Sequence, residues 1–283
     1  MEAPSQNTAT ACVLRFHALH RWVADIQRAV AFYCEGLGFR IVGGADASGK
    51  TALALGAQRI VLVQGGSGSV PMVSGTDVRF QHVAIVARDM DAAFERLQKL
   101  GPQAISRGGP QRLPEASGGA CAFKFRDPDG HPVELIEFGP GHGAPCWAAA
   151  AQRDAGPTLG IDHAAISVAS AERSIAFYEE LGFRLDSRQV NRGAEQARLD
   201  GLPDAEVEVE VVALVPPQSA TPHLELLAYR RPAAACGSAP VHATADRLVW
   251  QADARQDDFI THSDRQAGLP IADPDGHLNG MVP

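Results

Sequence analysis

Apolar residues along the chain fall into short runs separated by polar and glycine-rich punctuation, and their order is regular. A run from Val13 to Val23 predicts a strand, followed by a helix that closes at Gly36 to Gly38. Brief apolar runs at Arg40–Gly43, Thr51–Leu55 and Ile60–Val63 predict three further strands. The order then restarts. A strand over Val78–Val86 leads to Asp89, a plausible helix N-cap, with Phe94, Leu97 and Leu100 as a helical stripe ending at Gly101. Strands over Ala120–Phe125 and Val133–Phe138 complete the unit. The second half shows strands at Ile161–Val168, Glu206–Val215 and His223–Tyr229, with a helix over Ala171–Leu181. Gly139–Thr158 reads as a linker and Arg231–Ala245 as a second connector.

Two phrases recur. Arg28-Ala-Val-Ala-Phe-Tyr-Cys-Glu-Gly-Leu-Gly-Phe-Arg40 returns as Arg173-Ser-Ile-Ala-Phe-Tyr-Glu-Glu-Leu-Gly-Phe-Arg184, one residue shorter. Asp127-Pro-Asp-Gly-His131 returns as Asp273-Pro-Asp-Gly-His277. The offsets, 145 and 146 residues, agree closely enough to mark a duplicated half of domain length. The expected domains are 11–140 and 158–283, each an α+β pair of βαβββ modules. In the last module only 27 residues separate Asp246 from Asp273, against 47 from Phe80 to Asp127, so that module is shortened.

Composition narrows the function classes. With 25 basic and 33 acidic residues the 283-residue chain carries −8, which disfavours nucleic acid or anionic membrane as partner. No run approaches the roughly 18 apolar residues of a membrane span, and the first residues lack a basic-then-apolar leader pattern. A cytoplasmic protein is expected. Cys12, Cys34, Cys121, Cys146 and Cys236 are scattered, without CxxC, and suggest neither disulfides nor a thiolate metal site.

Four residues stand out by register. His82 lies seven residues before Asp89, and His163 seven before Ser170, each on an opening strand. Glu134 sits in Val133-Glu134-Leu135 and Glu225 in Leu224-Glu225-Leu226, where strand alternation points each carboxylate away from its apolar neighbours. An inward carboxylate is costly to bury without a cation or hydrogen bonds. Imidazole and carboxylate together suit a divalent metal. The competing reading is that these are solvated groups on half-exposed sheets. The equivalent positions elsewhere are Ala18 and an apolar residue near Leu248 for the histidines, and Gly280 for the glutamate.

The βαβββ repeats, the Ala-Phe-Tyr…Leu-Gly-Phe helix ends and Asp-Pro-Asp-Gly-His-Pro-Val-Glu-Leu resemble the vicinal oxygen chelate superfamily, which includes glyoxalase I, extradiol dioxygenases and bleomycin-resistance proteins. The resemblance covers nearly the whole chain. It implies four modules forming half-barrel cups, with His82, Glu134, His163 and Glu225 as ligands of one divalent ion, Ni, Co, Mn, Fe or Zn. Because the last module lacks a His and a Glu at the equivalent positions, modules two and three are expected to share the metal cup, and modules one and four to form a second cup without ligands. By resemblance the activity would be a glyoxalase-like lyase or isomerase working through an enediolate, with Glu134 or Glu225 as base and a small-molecule substrate. The alternatives are an Fe(II) ring-cleaving dioxygenase and a metal-free drug-binding protein. A homodimer is possible but not required.

Other residues offer less. His17 and His20 flank the vacant Ala18 and would need a register slip to serve as ligands. His131 and His277, in turns, are expected at the surface. The Arg107–Gly119 loop is long enough for a lid. Asn191–Arg198, read as a loop near the cup, offers Arg192 and Arg198 as substrate contacts. Gly65–Ser69 lacks the lysine and helix of a phosphate loop, and no Gly-x-Ser-x-Gly elbow occurs.

Overall fold

The structure is a computed structural model describing residues 12–43, 49–65, 70, 72–115, 118–203, 206–235, 245–253 and 270–283. The expectations for Gly66–Ser69, Cys236, the first residue of the 11–140 domain and most of the second connector lie outside these residues. Module one comprises β1 (Val13–Val23), α1 (Ile26–Ala31) running on into a π-helical turn (Phe32–Gly36), β2 (Arg40–Gly43), β3 (Lys50–Leu55) and β4 (Gln58–Gln64). Module two comprises β5 (Gln81–Ala87), α2 (Met90–Gln98), short β6 (Gln103–Ala104) and β7 (Gln111–Arg112), then β8 (Cys121–Arg126) and β9 (Pro132–Glu137). A helix, α3 (Pro145–Arg153), occupies the stretch expected to be a plain linker. Module three comprises β10 (Thr158–Ser167), α4 (Ala171–Glu180), β11 (Arg184–Arg192), α5 (Ala194–Leu199), β12 (Glu208–Val215) and β13 (His223–Arg231). The described part of module four holds β14 (Arg247–Ala252), β15 (Ile271–Ala272) and β16 (Leu278–Val282).

The modules pair four with one and three with two. One sheet runs β15-β16-β14-β1-β4-β3-β2, joining modules four and one. The other runs β11-β12-β13-β10-β5-β9-β8-β6, with β7 on β8, joining three and two through the antiparallel β5–β10 pair. Alternation assigns the faces. Val83, Ile85, Phe123, Phe125, Val133, Leu135, Leu224 and Leu226 enter one large core cluster that spans both sheets and includes Ala29, Phe32, Leu97 and Tyr178 from the helices. The intervening residues, His82, Lys124, Glu134 and Glu225, therefore line the opposite, concave face of the second sheet.

The repeated phrases explain themselves by contact. Asp127 and Asp273 each accept the backbone N–H two and four residues on, forming turns in which Gly130 and Gly276 both adopt φ +96°. Tyr33 donates to Asp127 (2.8 Å) and Tyr178 to Asp273 (3.2 Å). Arg28 pairs with Asp129 and Arg173 with Asp275. His131 and His277 point Nε2 at the Trp22 and Ser167 carbonyls (2.8 and 3.0 Å). Each helix phrase thus latches onto the turn phrase of the next module. Both turn histidines are about 1% exposed, correcting the expected surface position. A turn packed against a neighbouring strand is not solvated. The residue by which the first phrase exceeds the second is absorbed as the π-helical turn, so that Phe39 and Phe183 still return their N–H to the tyrosine carbonyl at 3.0 Å. Arg21, fully buried, adds a link in module one, donating to Asp246 (Nε–Oδ1 2.8 Å) and to the Tyr33 hydroxyl.

Candidate functional site

The concave face of the second sheet carries two rows of side chains set by strand register. One row is Lys124, Glu134, Ala84, His163 and His223, running across β8, β9, β5, β10 and β13. The other places His82 beside Ala165 and Glu225. Small alanines between the functional groups leave room above them. The rows floor a cavity of about 760 Å³.

Three of the four expected ligands meet closely. His82, Glu134 and His163 each bring a ligand atom within 4.8 Å of the others, and all three are buried. His82 Nε2 lies 2.8 Å from Glu134 Oε2, and His163 Nε2 lies 4.0 Å from the same oxygen. Glu225 Oε2 approaches His163 Nε2 at 3.4 Å from the other side. Neither Nε2 is aligned for a hydrogen bond with any partner. Buried nitrogens and carboxylate oxygens that converge without hydrogen-bonding fit a shared cation. Mn, Fe, Co, Ni and Zn all accept such nitrogen and oxygen donors.

A bulge prepares His163. Pairing between β10 and β5 slips between Ile161 and His163, so Ile161 and Ala164 both reach the core although they are an odd three positions apart. Asp162 is the extra residue. Its Oδ2 meets His163 Nδ1 at 3.0 Å and its Oδ1 accepts the Trp147 indole N–H at 2.7 Å. Trp147 belongs to α3, packed on Val86 and Leu159. A carboxylate behind a histidine fixes ring orientation and leaves Nε2 to face the site.

The electrostatics follow from these contacts. Burial opposes a charged His163, yet Glu225 and Asp162 outweigh it and lift its pKa to about 9. Burial likewise opposes a charged Glu225, but His163 and His223 hold it down at about 2. His82 is lowered by burial and by Lys124. A metal entering here would have to displace the proton from His163.

Two further residues belong to this face and were not anticipated. His223 stands beside Glu225 (Nε2–Oε1 3.5 Å), with its ring 5.2 Å from that of His163. Lys124 lies between core-facing Phe123 and Phe125 and is itself 4% exposed. The alternation that marked Glu134 marks Lys124 equally, and His223 shares the parity of Glu225.

Arg192 and Arg198 are not brought to this cluster. Neither lines the cavity. Arg192 ends β11 and turns outward to Glu208, while Arg198 lies on α5 and bonds Gln111 and Glu195. The supposed loop is a strand end and a helix, so its arginines are directed by the outer surface. Of the 107–119 loop, Arg107 donates to the Leu202 carbonyl, whereas Leu113 and Gly118 reach the cavity.

The other sheet differs. Ala18 pairs with Val249 there and Val249 with Gly280, and none of these three positions carries an acid. His20, two residues from Ala18, shares its face without a register slip. Burial together with Lys50, His17 and Arg247 depresses it to about 4.

Glyoxalase/Bleomycin resistance protein/Dioxygenase superfamily models match residues 15–135 and 160–281. The chain therefore belongs to that superfamily. Its fold is similar to glyoxalase I from Zea mays (18% identity, TM-score 0.62, covering 95% of this chain and 92% of that one). It is also similar to a "putative dioxygenase from Bacillus subtilis subsp. subtilis str. 168" (14% identity, TM-score 0.56, covering 95% and 85%). No curated protein sequence matched. Among the described residues no helix is long and apolar enough to cross a membrane.

Proposed function

We propose that this member of the glyoxalase/bleomycin resistance/dioxygenase superfamily is a divalent-metal-dependent lyase or isomerase that moves a proton at a carbon flanked by oxygens in a small substrate. The observation that supports it is the convergence of His82, Glu134 and His163, with Glu225 against them, on the floor of one cavity. A divalent ion held by these residues would act as a Lewis acid for two adjacent substrate oxygens and raise the acidity of the neighbouring C–H. Glu225 is the better-placed base. Its side chain is 20% exposed where Glu134 is 7%, and it stands outside the tight trio, so its carboxylate can reach a substrate proton. Glu134, wedged between His82 and His163, serves as a fixed ligand. Asp162 keeps His163 oriented, and Leu113, Ile136, Phe138, Val211 and Leu227 give the cavity apolar walls that limit water.

The test is metal content by mass spectrometry on protein purified without tag or chelator, beside a His82→Ala/His163→Ala double variant. About one equivalent in the wild type and none in the variant is expected, followed by turnover of α-hydroxycarbonyl compounds. Failure to bind Ni, Co, Mn, Fe(II) or Zn would remove this reading and leave a metal-free binding protein. That alternative predicts an arginine or water partner for each glutamate, and no arginine pairs with Glu134 or Glu225 among the described residues. A second reading has one specific support: two histidines and one carboxylate are the ligand set of non-haem Fe(II) oxygenases. Oxygen uptake with catechols by iron-loaded protein would select it.

A further inference from the structure

The buried Lys124 is not explained by the metal cup. It lies one strand beyond Glu134, directly opposite it in the β8–β9 pairing, on the same row as His163. Cross-strand neighbours stand about 5 Å apart, so the ammonium is within a short molecule's reach of the metal ligands. Its Nζ donates to Asp200 Oδ1 at 2.7 Å. The other Asp200 oxygen accepts from Gln196, whose own oxygen accepts from Asn191. That network consumes both Asp200 oxygens but only one of the three N–H donors of the ammonium. The remaining two make no hydrogen bond to a described residue; Glu134 and Glu225 act on the ammonium through their charge alone, and Lys124 faces the cavity where Leu113 and Leu199 offer no acceptor. Unused donors on a buried ammonium are expensive, and a ligand oxygen would satisfy them.

We propose that Lys124 anchors the substrate by binding a carboxylate carried beside the metal-chelating oxygens, so that the substrate class is a small carboxylic acid with two adjacent oxygens. Resting on the metal-dependent reading above, this assigns each end of the molecule a counterpart: the histidine–glutamate cluster for the vicinal oxygens, Lys124 for the carboxylate. Charge allows it. Glu134 and Glu225 balance a divalent ion, Asp200 balances Lys124, and Asp162 is held by the His163 and Trp147 N–H groups, so the substrate carboxylate is a further negative charge that has to be met by charge-assisted hydrogen bonds from Lys124.

The experiment measures binding rather than turnover. Cobalt(II)-loaded protein is titrated with acetohydroxamate, a two-oxygen chelator, and with the monohydroxamates of malonate and succinate, which add a carboxylate. Affinity is read from the cobalt absorption spectrum. At least one carboxylate-bearing probe should bind about tenfold or more tighter than acetohydroxamate in the wild type. The Lys124→Met/Asp200→Asn variant, which removes both charges together, should lose that preference while its cobalt stoichiometry and acetohydroxamate affinity stay unchanged. Lys124→Gln, which can still donate to Asp200, gives the same reading if the double variant fails to fold. A preference that survives in these variants, or is missing from the wild type, overturns the assignment to Lys124 and leaves the metal site standing. Failure of the wild type to take up cobalt overturns both.

Discussion

Asp162 offers the sharpest test of how the fold prepares the site. Its two oxygens are committed, Oδ1 to the Trp147 indole at 2.7 Å and Oδ2 to His163 Nδ1 at 3.0 Å. Both residues are buried, so the carboxylate cannot rotate into water. Replace it with asparagine. Only the amide oxygen can accept the indole N–H, so the NH₂ group is turned toward His163 Nδ1. That nitrogen must then accept, which moves the imidazole proton to Nε2, the atom that faces Glu134 and Glu225 at 4.0 and 3.4 Å. A donor would stand where a metal needs a lone pair. A hydrogen bond to a charged group is worth about 1.5–3 kcal/mol. At about 1.4 kcal/mol per decade that predicts a loss of roughly 10–100-fold in metal affinity, the usual cost of losing such a supporting carboxylate. Competition with a chromophoric chelator for Co(II) measures it, with circular dichroism to verify the fold. An affinity within about twofold of wild type in a folded Asp162→Asn protein would refute the reasoning.

Three further outcomes are expected. Glu225→Gln should retain its metal yet lose about 10²–10⁴-fold in turnover, as for removal of a general base; equal loss of metal would make Glu225 only a ligand. Arg21→Met leaves buried Asp246 beside Asp127 with its guanidinium partner gone and only His131 Nδ1 near it at 3.3 Å, so urea unfolding should show a loss of about 3–5 kcal/mol, and a loss under about 1 kcal/mol would contradict the ion pair's structural role. For His20, the unfolded chain accepts a proton near pH 6.5 while the folded protein refuses it until about pH 4. Stability is therefore full above pH 6.5 and falls as the pH drops toward 4. His20→Gln should make that decline shallower in thermal melts across the same window, and parallel curves would sink the argument.

The latches between repeated phrases separate what identifies this chain from what would work in it. Arg28, Tyr33, Asp127 and His131, with their counterparts Arg173, Tyr178, Asp273 and His277, are the most legible residues in the sequence, and all of them hold modules together. The candidate site lies elsewhere, on the cavity-facing side of β5, β9, β10 and β13, in residues that recur only in the two middle modules.

Sequence alone determined the strand faces, because a period of two leaves little choice where apolar neighbours bracket a polar residue. Glu134 and Glu225 were legible in that way; His82 and His163 were legible by their equal distance from a helix start, and the duplication and eroded last module by repeated phrases and their spacing. The pairing of modules two and three followed from which modules carry ligands together with the family resemblance. Tertiary structure decided the rest. A bulge, invisible in the alternation, turned Asp162 to the same side as His163. Asp200 came 76 residues along the chain to meet Lys124, and Trp147 rose from an apparent linker to hold Asp162. Arg192 and Arg198 took carboxylate and amide partners on the outer surface instead of the cup. A period-two pattern records which way a side chain points. It does not record which distant group will be waiting there, since that depends on how separate strands register once the sheet has closed.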